Sequence, residues 1–299
     1  MFDYFFFFKD QQNKELSGRL LQKFHSHTKC VRALAVLDDG DLISGSNDKT
    51  IKIWNVANGT VKRTLAGGSS SKSFLILDNY CLISAGSKNI INLWDLNNGT
   101  IKKTFVGHTA GVIALKLTKI GDLVSGSADK TIKIWNLIDG TVKRTLTGHT
   151  DKVLSLELLS NGDLVSGSWD NTIKVWDIES GVVKKTLTGH TSHVYTLALL
   201  ENGDLVSGSL DYSIKIWNME TGYAIKTLNG HINNVIALKV LDNGDLVSGS
   251  RDRTIKIWDV EKGTIKKDLK VDSRVASLEL LEDGRLVCGC TNGTINIYE

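Results

Sequence analysis

The stretch that decides the fold runs Gly148-His149-Thr150-Asp151-Lys152-Val153-Leu154-Ser155-Leu156-Glu157-Leu158, then Asn161-Gly162-Asp163-Leu164-Val165-Ser166-Gly167-Ser168-Trp169-Asp170, and closes on Thr172-Ile173-Lys174-Val175-Trp176-Asp177. Short runs of Val, Ile, Leu and Thr alternate here with Asn-Gly and Asp breaks. That is the composition of strands joined by tight turns, because Gly and Asn accept positive φ at little cost. With Trp176 as a marker, the counterparts elsewhere are Trp54, Trp94, Trp135, Trp217, Trp258 and, with the aromatic changed, Tyr298. The intervals are 40, 41, 41, 41, 41 and 40 residues. A period of this length, with Gly-His early and Trp-Asp late, marks a four-stranded propeller blade. Seven markers predict seven blades.

The two ends of the chain complete each other. Arg19-Leu20-Leu21-Gln22-Lys23-Phe24 matches the segment that elsewhere follows the last turn of a blade, as in Val142-Lys143-Arg144-Thr145-Leu146. The final repeat stops at Tyr298-Glu299, one strand short. The expected fold is therefore all-β: a single seven-bladed β-propeller with four-stranded antiparallel blades, its ring closed by the N-terminal strand completing the last blade. Two segments are expected, a Phe-rich N-terminal tail over 1–17 and the propeller over 18–299. On these coupled positions the chain resembles the WD-repeat (WD40) family over residues 18 to 299.

The resemblance implies a buried chain of hydrogen bonds in each blade, made by a His, a second-strand Ser, an Asp and the Trp. Five sets match by spacing: His27, Ser44, Asp48, Trp54; His108, Ser125, Asp129, Trp135; His149, Ser166, Asp170, Trp176; His190, Ser207, Asp211, Trp217; and His231, Ser248, Asp252, Trp258. Ser, His and Asp together invite comparison with a hydrolase triad, which is one constellation beside one pocket. A set that recurs in equivalent places and ends on an indole N–H reads instead as scaffold. Two repeats break the pattern. The second has Gly67-Gly68-Ser69-Ser70-Ser71-Lys72-Ser73 where Gly-His belongs and Lys88 in place of Asp. The seventh has Lys270-Val271, Cys288, Asn292 and Tyr298 at the tetrad positions.

Composition narrows the function classes. A net charge of +3 with 23% charged residues is not the clustered basic surface of a nucleic-acid binder, and none is expected as a partner. Lysines recur before the marker Trp (Lys52, Lys133, Lys174, Lys215, Lys256) and as pairs after the next turn (Lys62-Arg63, Lys102-Lys103, Lys143-Arg144, Lys184-Lys185, Lys266-Lys267). They read as charges that protect outer edge strands from pairing with other sheets. Cys30, Cys81, Cys288 and Cys290 lack metal-ligand spacing, so reduced thiols are expected, with no metal and no cofactor. The run Phe2-Asp3-Tyr4-Phe5-Phe6-Phe7-Phe8 is too short to cross a membrane and lacks the leading charge of a signal peptide. A cytoplasmic chain is expected, with the nucleus as an alternative.

No catalytic motif survives. The stretch before Lys72-Ser73 has Ala66 and Ser71 where a phosphate loop needs glycines. The chain is therefore expected to be no enzyme but an interaction scaffold, a monomeric propeller within a complex that takes a peptide or loop of another protein on its top face. The resemblance implies three projecting positions per blade: the first and third residues after the His, and the residue before the tetrad Asp. Around blades 4 and 5 these give Lys152, Trp169, His193 and Leu210, with Tyr195 nearby. Around blades 6, 7 and 1 they include Arg251 and Arg274, with Arg32 close by. Trp169 stands where other copies carry Asn47, Ser87, Ala128, Leu210, Arg251 and Thr291, and Trp and Arg are the residues most enriched at binding hot spots.

Arg251 and Arg32, with the wording Leu205-Val206-Ser207-Gly208-Ser209, also resemble the phosphodegron-reading propellers of F-box ubiquitin-ligase receptors. A substrate receptor for acidic or phosphorylated segments is thus one alternative; the arginines lie on separated blades here, and no F-box helices precede the repeats. A purely architectural subunit, using the rim or the Phe-rich tail, is the other. A Gβ-like signalling role would call for a long helix ahead of the blades, which 17 residues do not supply.

Overall fold

A computed structural model describes residues 16–66, 70–78 and 80–299. The Phe-rich run of the tail lies outside the described residues. Short strands joined by tight turns pair antiparallel, four successive strands to a sheet, except that the closing sheet joins the first strand to the last three. Seven four-stranded sheets result. The innermost strands, Val31–Val36, Ser71–Asp78, Val112–Leu117, Val153–Leu158, Val194–Leu199, Val235–Val240 and Val275–Leu280, ring a central channel.

Closure follows the expected route. Strand Leu20–His25 pairs antiparallel with Thr294–Tyr298, with Phe24 opposite Ile295 and Lys23 opposite Asn296. The termini are also tied end to end: Ser17 Oγ donates to the Glu299 carbonyl at 2.8 Å, and the Arg19 guanidinium meets the Glu299 carboxylate at 2.6 Å. Phe24 stacks on Trp54 with ring centroids 5.1 Å apart, so the closing strand also grips blade 1. Leu16 is buried in the core of blades 6 and 7.

In blades 3 to 6 the second strand, Leu-Val-Ser-Gly-Ser, is buried along its whole length. It shows no in-out alternation because each blade is covered on both faces by its neighbours. The glycine in this strand lets the next blade come close. A Cβ at Gly126 would stand 2.7 Å from Val153 Cγ1, and one at Gly249 2.4 Å from Val275 Cγ1. Each marker Trp then fills the seam to the preceding blade; Trp176 packs with Val124, Ile132, Ile134 and Leu146 of blade 3.

One sequence expectation needs correction. The lysines before the marker Trp are not on edge strands; they lie on the third strand, one in from the edge, and their ammonium groups reach across to the fourth. Lys133 donates to Thr145 Oγ1 at 2.8 Å and Lys174 to Thr186 Oγ1 at 3.0 Å, while Lys256 pairs with Asp268. The pairs on the outer strand do more than repel. Their first member stays in its own blade, as Lys143 with Asp122 at 2.6 Å and Lys184 with Asp163 at 2.7 Å. Their second reaches turn carbonyls of the next blade: Arg63 to Leu96, Arg144 to Ser180, and Lys185 to Met219. Successive outer-strand residues point to opposite faces, so a basic doublet serves both purposes.

Candidate functional site

Beneath the top face the five tetrads have one geometry. In blade 4, His149 Nδ1 lies 2.7 Å from Asp170 Oδ2, His149 Nε2 lies 2.7 Å from Ser166 Oγ, and Trp176 Nε1 donates to Ser166 Oγ at 2.7 Å. An ionised Asp can only accept, so Nδ1 carries the proton, Nε2 accepts from the Ser hydroxyl, and the Ser oxygen accepts from the indole. The blades of His27, His108, His190 and His231 repeat this arrangement within 0.1 Å. Every donor is matched and no hydroxyl is free to attack. The sequence reading missed a fifth member: Thr131 and Thr172 each donate through Oγ1 to the tetrad Asp Oδ1 at 2.6 Å.

The same Asp also holds a strained turn. The residue after it is left-handed in all five blades, from φ 67° at Arg253 to 74° at Tyr212, although none is glycine. Burial pushes the Asp48 and Asp129 carboxyls up, but hydrogen bonds from Thr50, Thr131, Thr109 and the tetrad histidines outweigh it and hold both at about 2. Asp170, Asp211 and Asp252 are held well below the usual carboxylate range against the same burial, chiefly by their histidines. Burial pushes His27 and His108 below the ordinary imidazole value, against the pull of their aspartates.

The two exceptional blades differ from each other. Blade 2 keeps the lower half of the chain, with Trp94 Nε1 donating to Ser84 Oγ at 2.8 Å, while Lys88 is exposed. Blade 7 replaces the chain with an apolar set: Val271, Cys288, Cys290 and Tyr298 are buried together, and the two thiols lie 3.7 Å apart. Asn292 keeps the turn-holding duty of the Asp, accepting from Thr294 Oγ1 at 2.8 Å. All four cysteines are free.

Above the tetrads the copies diverge. The third residue after each His and the residue before each Asp are cross-strand partners, as in Trp169 N–H to the Lys152 carbonyl, Leu210 N–H to the His193 carbonyl and Arg251 N–H to the Asn234 carbonyl. Over blades 4 and 5 their side chains meet. The Trp169 indole stacks on the His193 imidazole at 4.6 Å and 11°, and Lys152 Nζ sits 3.6 Å from the indole centroid on a cation–π contact. His193 Nδ1 donates to the Trp169 carbonyl at 2.7 Å, which locks the ring plane. Trp169 Nε1 is shielded from solvent and has no acceptor. Packing on the neighbouring loop leaves this Trp half-buried.

The cationic residues separate. Arg32 points into the channel, where its Nη1 donates to Tyr195 Oη at 3.3 Å. Arg251 and Arg32 both lie within electrostatic reach of the buried Cys30 thiol, whose pKa burial raises and these two cations partly restore. Arg274 is exposed and, among the described residues, shares no hydrogen bond with Arg32 or Arg251. Among the described residues, no group of three or more His, Cys, Asp or Glu is placed to hold a metal ion.

A family model described as "WD domain, G-beta repeat" matches residues 18–55, 99–136, 140–177, 181–218 and 222–259, together more than half of the chain. The chain belongs to the WD-repeat family. The five matched stretches are the five that carry complete tetrads; the unmatched WD repeats are blades 2 and 7. Among solved structures, the WD40 beta propeller domain of Doa1 superposes with a TM-score of 0.84 at 29% identity, covering 94% of this chain and 96% of that one. Among curated proteins, 47 residues are 38% identical to Ribosome biogenesis protein YTM1 of Eremothecium gossypii, which is 16% of this WD-repeat chain and 11% of that relative. Among the described residues no helix is long and apolar enough to cross a membrane.

Proposed function

We propose that this propeller is a non-catalytic interaction module that takes a peptide or loop of a partner protein on its top face over blades 4 and 5, with Trp169 as the anchor. The observation that carries this is the Lys152–Trp169–His193 stack. A Trp clamped on both faces loses little rotamer freedom on binding, which lowers the cost of association. Its indole N–H has no acceptor in the free chain, and an unpaired donor of this kind costs about 1–3 kcal/mol. A partner carbonyl that reaches the N–H edge of the clamped ring recovers that cost. Leu210 and His193 supply apolar and polar surroundings, and Arg251 orients an acidic neighbour. Four free thiols favour a reducing compartment, which supports the cytoplasm or nucleus.

A photocrosslinking amino acid at position 210 tests this against the architectural reading. Partners should crosslink from position 210 and not from position 138, where Ile138 is fully exposed beyond the opposite end of the sheets. Crosslinks from 138 alone would favour a subunit held by its other surfaces.

A further inference from the structure

The channel has two charged levels that the repeat sets by position. The fifth residues of the innermost strands include Lys116, Glu157, Lys239 and Glu279, and these pair between adjacent blades, Lys116 with Glu157 at 2.6 Å and Lys239 with Glu279 at 2.5 Å. The second residues form the level nearer the top face. Arg32 and Lys72 stand there on adjacent blades 1 and 2 and Tyr195 on blade 5; the other four places are aliphatic. Among the described residues no carboxylate pairs with Arg32, Lys72 or Lys152. A cavity of about 260 Å³ lies between the two levels, lined by Arg32, Lys72 and Tyr195.

Cations are gathered here at a cost. Burial lowers the proton affinity of the Lys72 amine, and Arg32 and Lys152 nearby lower it further. Like charges held together half out of water, beside a level where charges are paired, lack a carboxylate counterion among the described residues. The Tyr195 oxygen accepts from Arg32, so its hydroxyl hydrogen remains free to donate. The donors are thus an ammonium, the remaining guanidinium N–H groups and a phenol, facing one small space.

We propose that this upper level is an anion site, and that it takes a phosphate group between Lys72 and Arg32 with the Tyr195 hydroxyl donating. Phosphate fits better than a carboxylate because it brings a charge of about −1.5 to −2 and three terminal oxygens. The phosphate belongs to a phosphorylated side chain of the segment bound above, since Lys152 of the Trp169 stack lies two residues before Leu154, which lines the same cavity; in that form the inference rests on the top-face reading. A free phosphate has the same chemistry.

The test uses the full chain and three probes: inorganic phosphate, a degenerate nonapeptide library with central phosphoserine, and the same library with serine. The wild type should bind the phosphoserine library at least ~10-fold tighter, about 1.4 kcal/mol. Lys72→Met should abolish that preference, Tyr195→Phe should weaken it several-fold, and Lys72→Met should melt no lower than wild type because it removes a half-buried cation without a carboxylate partner. A melting rise with inorganic phosphate that Lys72→Met abolishes, without discrimination between the libraries, assigns the site to a free anion. Equal binding of both libraries with no effect of phosphate overturns the site, as does full phosphoserine preference in Lys72→Met. Trp169→Leu separates the two ideas. If it releases the partner while the phosphate probes fail, the anion site falls and the top-face reading stands; if phosphate binding is lost in Lys72→Met while Trp169→Leu releases nothing, the reverse holds.

Discussion

Trp176 and Trp169 lie seven residues apart in blade 4 and do opposite work. Trp176 is 1% exposed, its indole N–H satisfied by Ser166, and it has a counterpart in every complete repeat. Trp169 is half-buried, its N–H lacks an acceptor, and no other blade has an aromatic there. The same side chain is scaffold where the repeat requires it and a candidate contact where the repeat is indifferent. Position in the repeat, more than residue type, separates stability from recognition.

The largest expected effect falls on the scaffold side. Trp176→Ala opens a cavity at the seam with blade 3 and should cost about 3–5 kcal/mol, read by chemical denaturation; a loss under 1 kcal/mol would mean the seam collapses freely. Ser166→Ala leaves the Trp176 N–H unpaired and should cost about 1–3 kcal/mol. Blade 7 sharpens the contrast. There Cys288 lies among apolar neighbours and Cys290, so Cys288→Ser should not stabilise the chain, although it restores the residue found in the other blades. A gain in melting temperature would show that the apolar substitute is the weaker solution.

Acid should loosen the tetrads in a defined order. His27 and His108 are depressed in the fold, so the unfolded chain binds protons first; stability is fully present above about pH 6.5 and falls as pH drops through and below that value. The aspartates follow: Asp48 and Asp129 contribute stability above about pH 4 that is lost as pH falls toward about 2. Denaturation midpoints measured from pH 8 to 3 should decline monotonically, and a maximum near pH 5 would contradict this. The smallest effect on stability belongs to Trp169→Leu. It forfeits a stack and a cation–π contact, each about 0.5–1.5 kcal/mol, and removes an unpaired donor, so the net change should stay within about 1 kcal/mol.

The repeat made much of this legible. A fixed period ties residue to place, so the blade count, the tetrads and the closing strand follow from spacing. Trp169, Lys152 and His193 stood out because they depart from copies whose places were already assigned. Lys72 was not legible: blade 2 lacks the Gly-His that marks the start of its innermost strand, which hides that Lys72 shares a level with Arg32 and Tyr195. The lysines before the marker Trp were misread as edge residues because composition says nothing of which strand is outermost. Blade 7 hid its substitution in the same way, since Val271, Cys288 and Tyr298 look like isolated losses until they are seen packed together.

The most direct test of the central claim is a quantitative pull-down from lysate with the wild-type chain, Trp169→Ala combined with Arg251→Ala, and Ser166→Ala, after confirming that the double variant melts with the wild type. Specific partners should disappear from the folded double variant and persist on Ser166→Ala at temperatures where it remains folded. An unchanged partner set on the double variant would contradict the claim and move recognition away from the top face.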